Sequence, residues 1–130
     1  MTPTGIARAL DDLLFDPLPD LAEAIDRHFA PEYRQRTNGV WSDHAGFAAH
    51  MAALRGLVRS GHIEVHDELR DGRRYADRHT VTITRHDGHT SRTEVYLFAE
   101  FASDGRFLRV EETTLLVEGH AKDAELGSVR

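Results

Sequence analysis

Two residues capable of acid–base chemistry lie on the apolar side of one predicted strand. In the stretch YADRHTVTI (75–83), strand alternation places Asp77 and His79 on the same side as Tyr75 and two aliphatic residues. Burial in an apolar pocket raises the pKa of a carboxyl group, which makes it a usable base or acid near neutral pH. A neighbouring His can orient that group or relay a proton. The alternative is a structural pair that is buried for packing.

Glu112 is the third candidate, and the last predicted hairpin places it. A two-residue Asp104-Gly105 turn pairs Leu97 with Glu112 and Phe101 with Leu108. This register matches opposite charges on one face and apolar residues on the other, as cross-strand contacts favour. Glu112 is then the one charge on an apolar face. It is either a catalytic carboxylate or a structural one bonded to an Arg or to a helix N-terminus.

The preceding hairpin decides whether the three candidates meet. A three-residue loop at 86–88 pairs Asp77 with Leu97 and gathers the candidates around Leu97 on one concave face. A two-residue turn would place Arg78 there instead. We expect the longer loop because it keeps the aliphatic residues of the strand inside. The predicted catalytic residues are Asp77, His79 and Glu112.

Further residues are predicted to contact a ligand beside this cluster. The phenol or indole groups of Tyr33, Tyr75 and Trp41 could donate to a carbonyl oxygen as negative charge develops on it. Trp41 would either cover the pocket or fill the core, and His50 is either a satisfied core side chain or a ligand contact. Leu97 would form the pocket floor. These residue types predict proton abstraction next to a carbonyl, or loss or addition of water, on a small hydrophobic molecule.

Three helices precede the strands. Apolar residues at helical spacing predict a first helix capped by Thr4, a second from Leu21 that Pro31 ends, and a third. Ser42 or Asp43 would cap the third helix, which is predicted to run to about residue 60, with a stop at Gly61. A short strand closed by an Asn-Gly turn lies between the second and third helices at 32–39.

The second half of the chain is predicted to be a four-stranded antiparallel meander. Three Asp-Gly pairs mark its turns, because Gly supplies the positive φ that tight hairpins need. The predicted strands are 62–70, 74–85, 90–102 and 106–117. The chain is thus expected to form one domain over 1–118, followed by a polar tail at 119–130.

The composition narrows the classes of partner. The 130 residues contain 16 basic and 22 acidic side chains without a basic cluster, so nucleic acid and membrane are not expected as partners. Nine His are scattered without an H-E-x-x-H motif, and there is no Cys. A zinc or iron site from His79, His50 and Glu112 lacks supporting spacing, so neither a metal nor another cofactor is expected. The N-terminus shows no signal-peptide pattern, and we expect a cytoplasmic protein.

The order and texture of these elements resemble the nuclear transport factor 2-like superfamily, particularly its SnoaL-like branch. The likeness covers about residues 4 to 118 and is carried by five segments: DLAEAIDRHFAPEYRQRTNG, DHAGFAAHMAALRGLV, RYADRHTVTITR, RTEVYLFAEF and RFLRVEETTLLVEG. The resemblance implies a cone-shaped α+β roll, cystatin-like, in which a strongly curved antiparallel sheet wraps three helices and encloses a pocket. Members of the superfamily include isomerases, polyketide cyclases, dehydratases and epoxide hydrolases, and others only bind ligands or partners.

The resemblance also implies roles for particular residues. Enzymes of this type set an Asp or Glu base, or an Asp–His pair, against Tyr or Trp in an apolar pocket, and the predicted catalytic residues match that style of site. Related cones pair through the outer face of the sheet, where this chain carries Tyr96, Phe98 and Leu115 among charged residues, which predicts a homodimer. The leading function is a SnoaL-like pocket protein acting as a cofactor-independent isomerase, cyclase or dehydratase. The alternative is a non-catalytic ligand-binding or dimerisation module.

Overall fold

The helices lie in the first half of the chain. The structure, a computed structural model, describes residues 5–16 and 20–119. Helix α1 (Ile6–Leu10) continues into a π-helical turn (Asp11–Phe15), and α2 (Leu21–His28) and α3 (His44–Leu57) follow. The cap predicted at Thr4 and the tail predicted beyond Gly119 lie outside the described residues.

Aspartates cap the two longer helices. The side chain of Asp43 accepts a hydrogen bond of 2.9 Å from the backbone N–H of Gly46, so Asp43 rather than Ser42 begins α3. Asp20 caps α2 in the same way, through the N–H of Glu23. Both helices end earlier than predicted, and each passes directly into a strand. Pro31 lies three residues beyond the end of α2, and Gly61 lies inside a strand.

Six strands form one curved, unclosed sheet. They are β1 (Phe29–Thr37), β2 (Val40–Ser42), β3 (Val58–Asp71), β4 (Arg74–Arg85), β5 (Thr90–Phe101) and β6 (Phe107–Glu118). Their order across the sheet is β2-β1-β6-β5-β4-β3. Strands β3 to β6 are the predicted meander, and the strand predicted near 32–39 is β1. The parallel pairing of β1 with β6 was not predicted. This pairing is interrupted between Phe29 and Arg34, around Pro31, which has no N–H to donate.

The predicted registers are confirmed at the candidate site and wrong at the end of the last hairpin. Asp77 pairs with Leu97, and Leu97 pairs with Glu112. Phe101 pairs with Phe107 rather than with Leu108, because the β5–β6 register shifts between Glu100 and Phe101. The shift places the ring of Phe107 in the core at 0% exposure.

The core lies between the helices and the concave face of the sheet. Aromatic rings fill the end of the core beside β1, with Phe29, Tyr33 and Phe47 in mutual contact at centroid distances of 4.6–4.8 Å. Aliphatic residues of α1 and α3 fill the rest. Within the described residues, none of the helices is both long enough and apolar enough to cross a membrane.

Candidate functional site

A cavity of about 260 Å³ lies between the helices and the concave face of the sheet. Its wall is mostly aliphatic, with residues such as Leu14 and Leu54 from the helical side and Val81 and Val95 from the sheet. Six polar residues also line it: Asn38, His50, His79, Thr93, Glu112 and Thr114. An apolar cavity with a few polar groups is the usual form of a small-molecule site, and this volume is near the lower end of their range, about 300 Å³.

His79 belongs to this wall and is held by Asp77. Nδ1 of His79 lies 2.7 Å from Oδ1 of Asp77, and the two side chains are 1% and 0% exposed. A carboxylate oxygen only accepts, so Nδ1 carries the proton and Nε2 is the basic nitrogen of the neutral ring. Among the described residues, the structure gives Nε2 no hydrogen-bond partner. The pair is therefore buried, and its His is also part of the cavity wall.

Tyr75 supports Asp77 from the side away from the cavity. Its hydroxyl lies 2.9 Å from Oδ2 of Asp77 and 2.5 Å from Oε2 of Glu68. Burial, followed by the hydrogen bond to Glu68, raises the pKa of Tyr75 well above its ordinary value, so the phenol stays protonated. Tyr75 thus contacts Asp77 rather than the cavity.

Glu112 is held by a chain of hydrogen bonds along β1. The hydroxyl of Thr37 donates to Oε1 of Glu112 at 2.9 Å, and the amide of Gln35 donates to Thr37 at 3.1 Å. The hydroxyl of Tyr33 donates to Gln35 at 2.8 Å. Every donor therefore points toward Glu112, and such an arrangement favours a negative charge at its end. The sequence predicted an arginine or a helix N-terminus as the structural partner of Glu112. In the structure that partner is the hydroxyl of Thr37.

Two opposing effects set the charge state of Glu112. Burial raises the pKa of Glu112 above its ordinary value, while the Thr37 hydrogen bond and then the nearby His79 act to lower it. Burial is the larger effect. A carboxyl group with a raised pKa in an apolar cavity can take up or release a proton near neutral pH.

Of the other residues predicted to contact a ligand, only some line the cavity. His50 is 7% exposed and lines the cavity. Leu97 is 2% exposed in the core, between Asp77 and Glu112 in the sheet. Tyr33 is 1% exposed, and its hydroxyl is used by Gln35 rather than turned to the cavity. Trp41 is 47% exposed and lies under the guanidinium of Arg34, apart from this cavity. Tyr33 and Trp41 are thus not placed as donors to a ligand here.

Sequence reasoning missed several polar residues of the site. Asn38 precedes the glycine of the predicted turn with φ of 50°, and its side chain bonds both the hydroxyl and the backbone N–H of Thr114. The Asn-Gly pair was the signal for the turn, but only the β1–β6 pairing brings Asn38 to the cavity. Gln35 and Thr37 carried a signal as well, since they alternate with Tyr33 on one side of β1.

In residues 5–16 and 20–119, no three His, Asp or Glu side chains are grouped so that they could hold a metal ion. His79, His50 and Glu112 line one cavity without forming such a group.

The fold is that of the nuclear transport factor 2-like proteins. A protein of this class and of unknown function from Exiguobacterium sp. 255-15 superposes with a TM-score of 0.65 at 15% identity, covering 83% of this chain and 96% of the other. A candidate isomerase of the SnoaL-like family from Agrobacterium tumefaciens gives a TM-score of 0.61 at 15% identity, with 85% and 94% coverage. IdmH, a candidate polyketide cyclase from Streptomyces antibioticus, gives 0.59 at 16% identity, with 74% and 80% coverage.

Sequence comparison narrows the class. The model of the SnoaL-like domain matches residues 19–110, so the chain belongs to the SnoaL-like family. An uncharacterised protein of Schizosaccharomyces pombe is 33% identical over 108 residues, which cover 83% of this chain and 82% of the yeast protein.

Proposed function

We propose that this protein is a SnoaL-like enzyme that performs cofactor-independent acid–base chemistry on a small hydrophobic carbonyl compound. The observation that carries the proposal is that His79 and Glu112 line the same apolar cavity. Isomerisation, cyclisation and dehydration each need one group that removes a proton and a second that returns one. The candidate cyclase and isomerase among the structural neighbours are consistent with this chemistry.

The two groups differ in the way they are held. Glu112 is the base in this proposal, because burial raises its pKa while Thr37 keeps one oxygen fixed. His79 is the second acid–base group, with Asp77 fixing its ring so that Nε2 carries the chemistry. Neither Asp77 nor Glu112 is bonded to an arginine within the described part of the chain, which leaves both available for proton transfer.

Binding is tested with a variant that fills the cavity. Val81 lines the cavity, so Val81→Phe places a ring in the open space. Val117→Phe is the matched control, because Val117 is 47% exposed and does not line the cavity. Native mass spectrometry of the protein as expressed, followed by denaturing extraction, should detect a bound hydrophobic molecule in wild type and Val117→Phe and none in Val81→Phe.

Catalysis is tested by deuterium exchange into a β,γ-unsaturated cyclic ketone in D₂O. Wild type should accelerate exchange at the carbon next to the carbonyl. Glu112→Gln and His79→Gln should each lower the rate roughly 10²-fold or more, because each removes one acid–base group. Equal rates in wild type and both variants would contradict the proposal and leave a ligand-binding module as the function.

A homodimer through the outer sheet face is a second part of the proposal. Tyr96, Phe98 and Leu115 are 44%, 73% and 54% exposed in the single chain. Large apolar side chains grouped on one face favour a role in assembly over one in the cavity, which lies on the opposite face. This face serves equally well in the alternative, a non-catalytic dimerisation module.

A further inference from the structure

A continuous line of acid–base groups crosses the wall of the cavity. Oε2 of Glu68 lies 2.5 Å from the hydroxyl of Tyr75, which lies 2.9 Å from Oδ2 of Asp77. Oδ1 of Asp77 lies 2.7 Å from Nδ1 of His79. Strand pairing fixes this line, because Glu68 of β3 stands directly opposite Asp77 of β4.

The two ends of the line face different surroundings. Glu68 is exposed to solvent, whereas Tyr75 and Asp77 are buried and His79 lines the cavity. The chain behind Glu112 differs, because it ends at the buried hydroxyl of Tyr33. Solvent can therefore exchange protons at Glu68 with the line that leads to His79. The hydrogen-bond chain from Tyr33 to Glu112 has no such end, because it stops inside the protein.

Both contacts of Tyr75 are full hydrogen bonds only when one of the two carboxyl groups carries a proton. Its hydroxyl has one proton but lies within hydrogen-bond distance of two carboxyl groups. The hydroxyl can donate its proton to either carboxylate, and a protonated carboxyl group can donate the other contact. Two arrangements satisfy both contacts: Glu68 donates to Tyr75 and Tyr75 to Asp77, or Asp77 donates to Tyr75 and Tyr75 to Glu68. They differ only in which carboxyl group is protonated.

We propose that Glu68, Tyr75 and Asp77 form a proton relay that connects His79 in the cavity with solvent outside the sheet. The relay deepens the proposed function, since it rests on His79 exchanging protons with a bound molecule. Glu68 and Tyr75 are positioning and relay residues that do not touch the molecule in the cavity. An apolar molecule in the cavity keeps water away from Nε2, so water cannot carry protons to or from His79 there. The relay supplies a route for these protons through the wall of the cavity.

The proton shift consists of three transfers, each of which breaks one bond to hydrogen and forms another. It begins when Nε2 of His79 has taken a proton from the bound molecule, with Asp77 protonated on Oδ2. Nδ1 gives its proton to Oδ1 of Asp77, Oδ2 gives its proton to the oxygen of Tyr75, and Tyr75 gives its own to Glu68. The imidazolium becomes neutral, the carboxylate of Glu68 becomes neutral, and the phenol is never charged. The reverse shift returns a proton to the cavity for delivery to a second position of the molecule.

The relay is tested on the ligand-free protein by NMR. The readout is the rate at which the Nδ1–H proton of His79 exchanges with water, measured by saturation transfer. Tyr75→Phe removes the central hydroxyl and should slow the exchange roughly 10²-fold. Glu68→Gln changes an exposed side chain, keeps a hydrogen-bonding group beside Tyr75 and should slow the exchange as well. Tyr33→Phe is the matched control. It removes a buried phenol hydroxyl from the hydrogen-bond chain behind Glu112 and should leave the exchange rate of His79 unchanged.

A purely structural role for these contacts gives the opposite result. Loss of the Tyr75 hydroxyl would then loosen the wall and accelerate exchange at His79. Faster or unchanged exchange in Tyr75→Phe and Glu68→Gln would overturn the relay, and so would equal slowing in Tyr33→Phe. No ligand enters this measurement, so the relay can fail while the deuterium exchange of the ketone still supports the proposed function, and the reverse also holds.

Discussion

Asp77 fixes the ring of His79 through a contact of 2.7 Å between Oδ1 and Nδ1, with both side chains inaccessible from outside. The two residues stand at alternate positions of β4, so they project from the same face of the sheet. This spacing lets a strand supply an oriented imidazole without help from a second element. The consequence is that Nε2 is the basic nitrogen whenever the ring is neutral.

Asp77→Asn should change the tautomer of His79. The amide cannot act as a charged acceptor, and its NH₂ group can donate to Nδ1, which favours the ring with its proton on Nε2. Long-range ¹H–¹⁵N NMR spectra should show Nδ1 protonated in wild type and a shift toward Nε2–H in the variant. Thr80→Val on the same strand is the control and should leave the tautomer unchanged. A wild-type ring protonated on Nε2 alone would contradict the assignment.

Glu112 should make stability depend on pH in a defined direction. Burial raises its pKa in the folded state above the ordinary 4.5, so the folded protein prefers the protonated group. This preference is fully present below the unfolded pKa, and the corresponding stability is lost as the pH rises through the folded pKa. Each unit of difference between the two pKa values corresponds to about 1.4 kcal/mol.

Glu112→Gln isolates this effect because the amide oxygen can still accept from Thr37. Urea unfolding of both proteins across the pH range should show wild type losing stability relative to the variant as the pH rises above 4.5. The free-energy difference should level off once Glu112 is ionised in the folded state. A difference that stays constant with pH would show that Glu112 titrates alike in both states.

The sequence was sufficient to predict that Asp77, His79 and Glu112 lie close together, because their geometry depends on local rules. Period-two alternation placed Asp77 beside His79, and the lengths of two turns placed Glu112 near them. The three-residue loop at 86–88 was the deciding feature, since a two-residue turn would have placed Arg78 on that face. Thr84 pairs with Thr90 as the longer loop requires.

The parts that sequence reasoning missed depend on distant contacts. Thr37 and Glu112 are 75 positions apart in the chain and meet through the parallel pairing of β1 with β6. No turn sequence predicts such a pairing. The bulge that brings Phe107 rather than Leu108 into the core follows from ring packing against Phe29 and Phe101. Trp41 was misplaced for a similar reason, because its exposure depends on the short strand β2 at the sheet edge.

Phe98→Glu should convert the proposed homodimer into a monomer. Phe98 is 73% exposed at the centre of the outer face, and burial of such a ring contributes about 1.5–3 kcal/mol in each protomer. Light scattering coupled to size-exclusion chromatography should give the mass of a dimer for wild type and of a monomer for the variant. Val40→Glu is the control, because Val40 is 62% exposed in β2, at the edge of the sheet and away from Phe98. A monomeric wild type would contradict the proposed dimer.

Two glycines should respond to alanine in opposite directions. A Cβ at Gly61 would lie 2.3 Å from the carbonyl oxygen of Thr82 and 2.5 Å from the ring of Phe15, and neither can move without disturbing β4 or the π-helical turn. Gly61→Ala should therefore lower the free energy of unfolding by about 1–3 kcal/mol. Gly56 lies in α3 with no atom within 4 Å of such a Cβ, and Gly56→Ala should raise stability by up to about 1 kcal/mol.

Urea denaturation of both alanine variants measures this difference on the same protein. The expected opposite signs follow from backbone entropy alone at Gly56 and from steric overlap at Gly61. Strand β3 begins earlier than the sequence predicted, so Gly61 lies inside it. The close approach of Thr82 and Phe15 explains why a glycine stands at this position. Only a residue without a side chain lets β3 pass between β4 and the π-helical turn of the first helix. A neutral Gly61→Ala would mean that β3 can move away from Phe15, and the close approach would then not fix the position of the helices over the cavity.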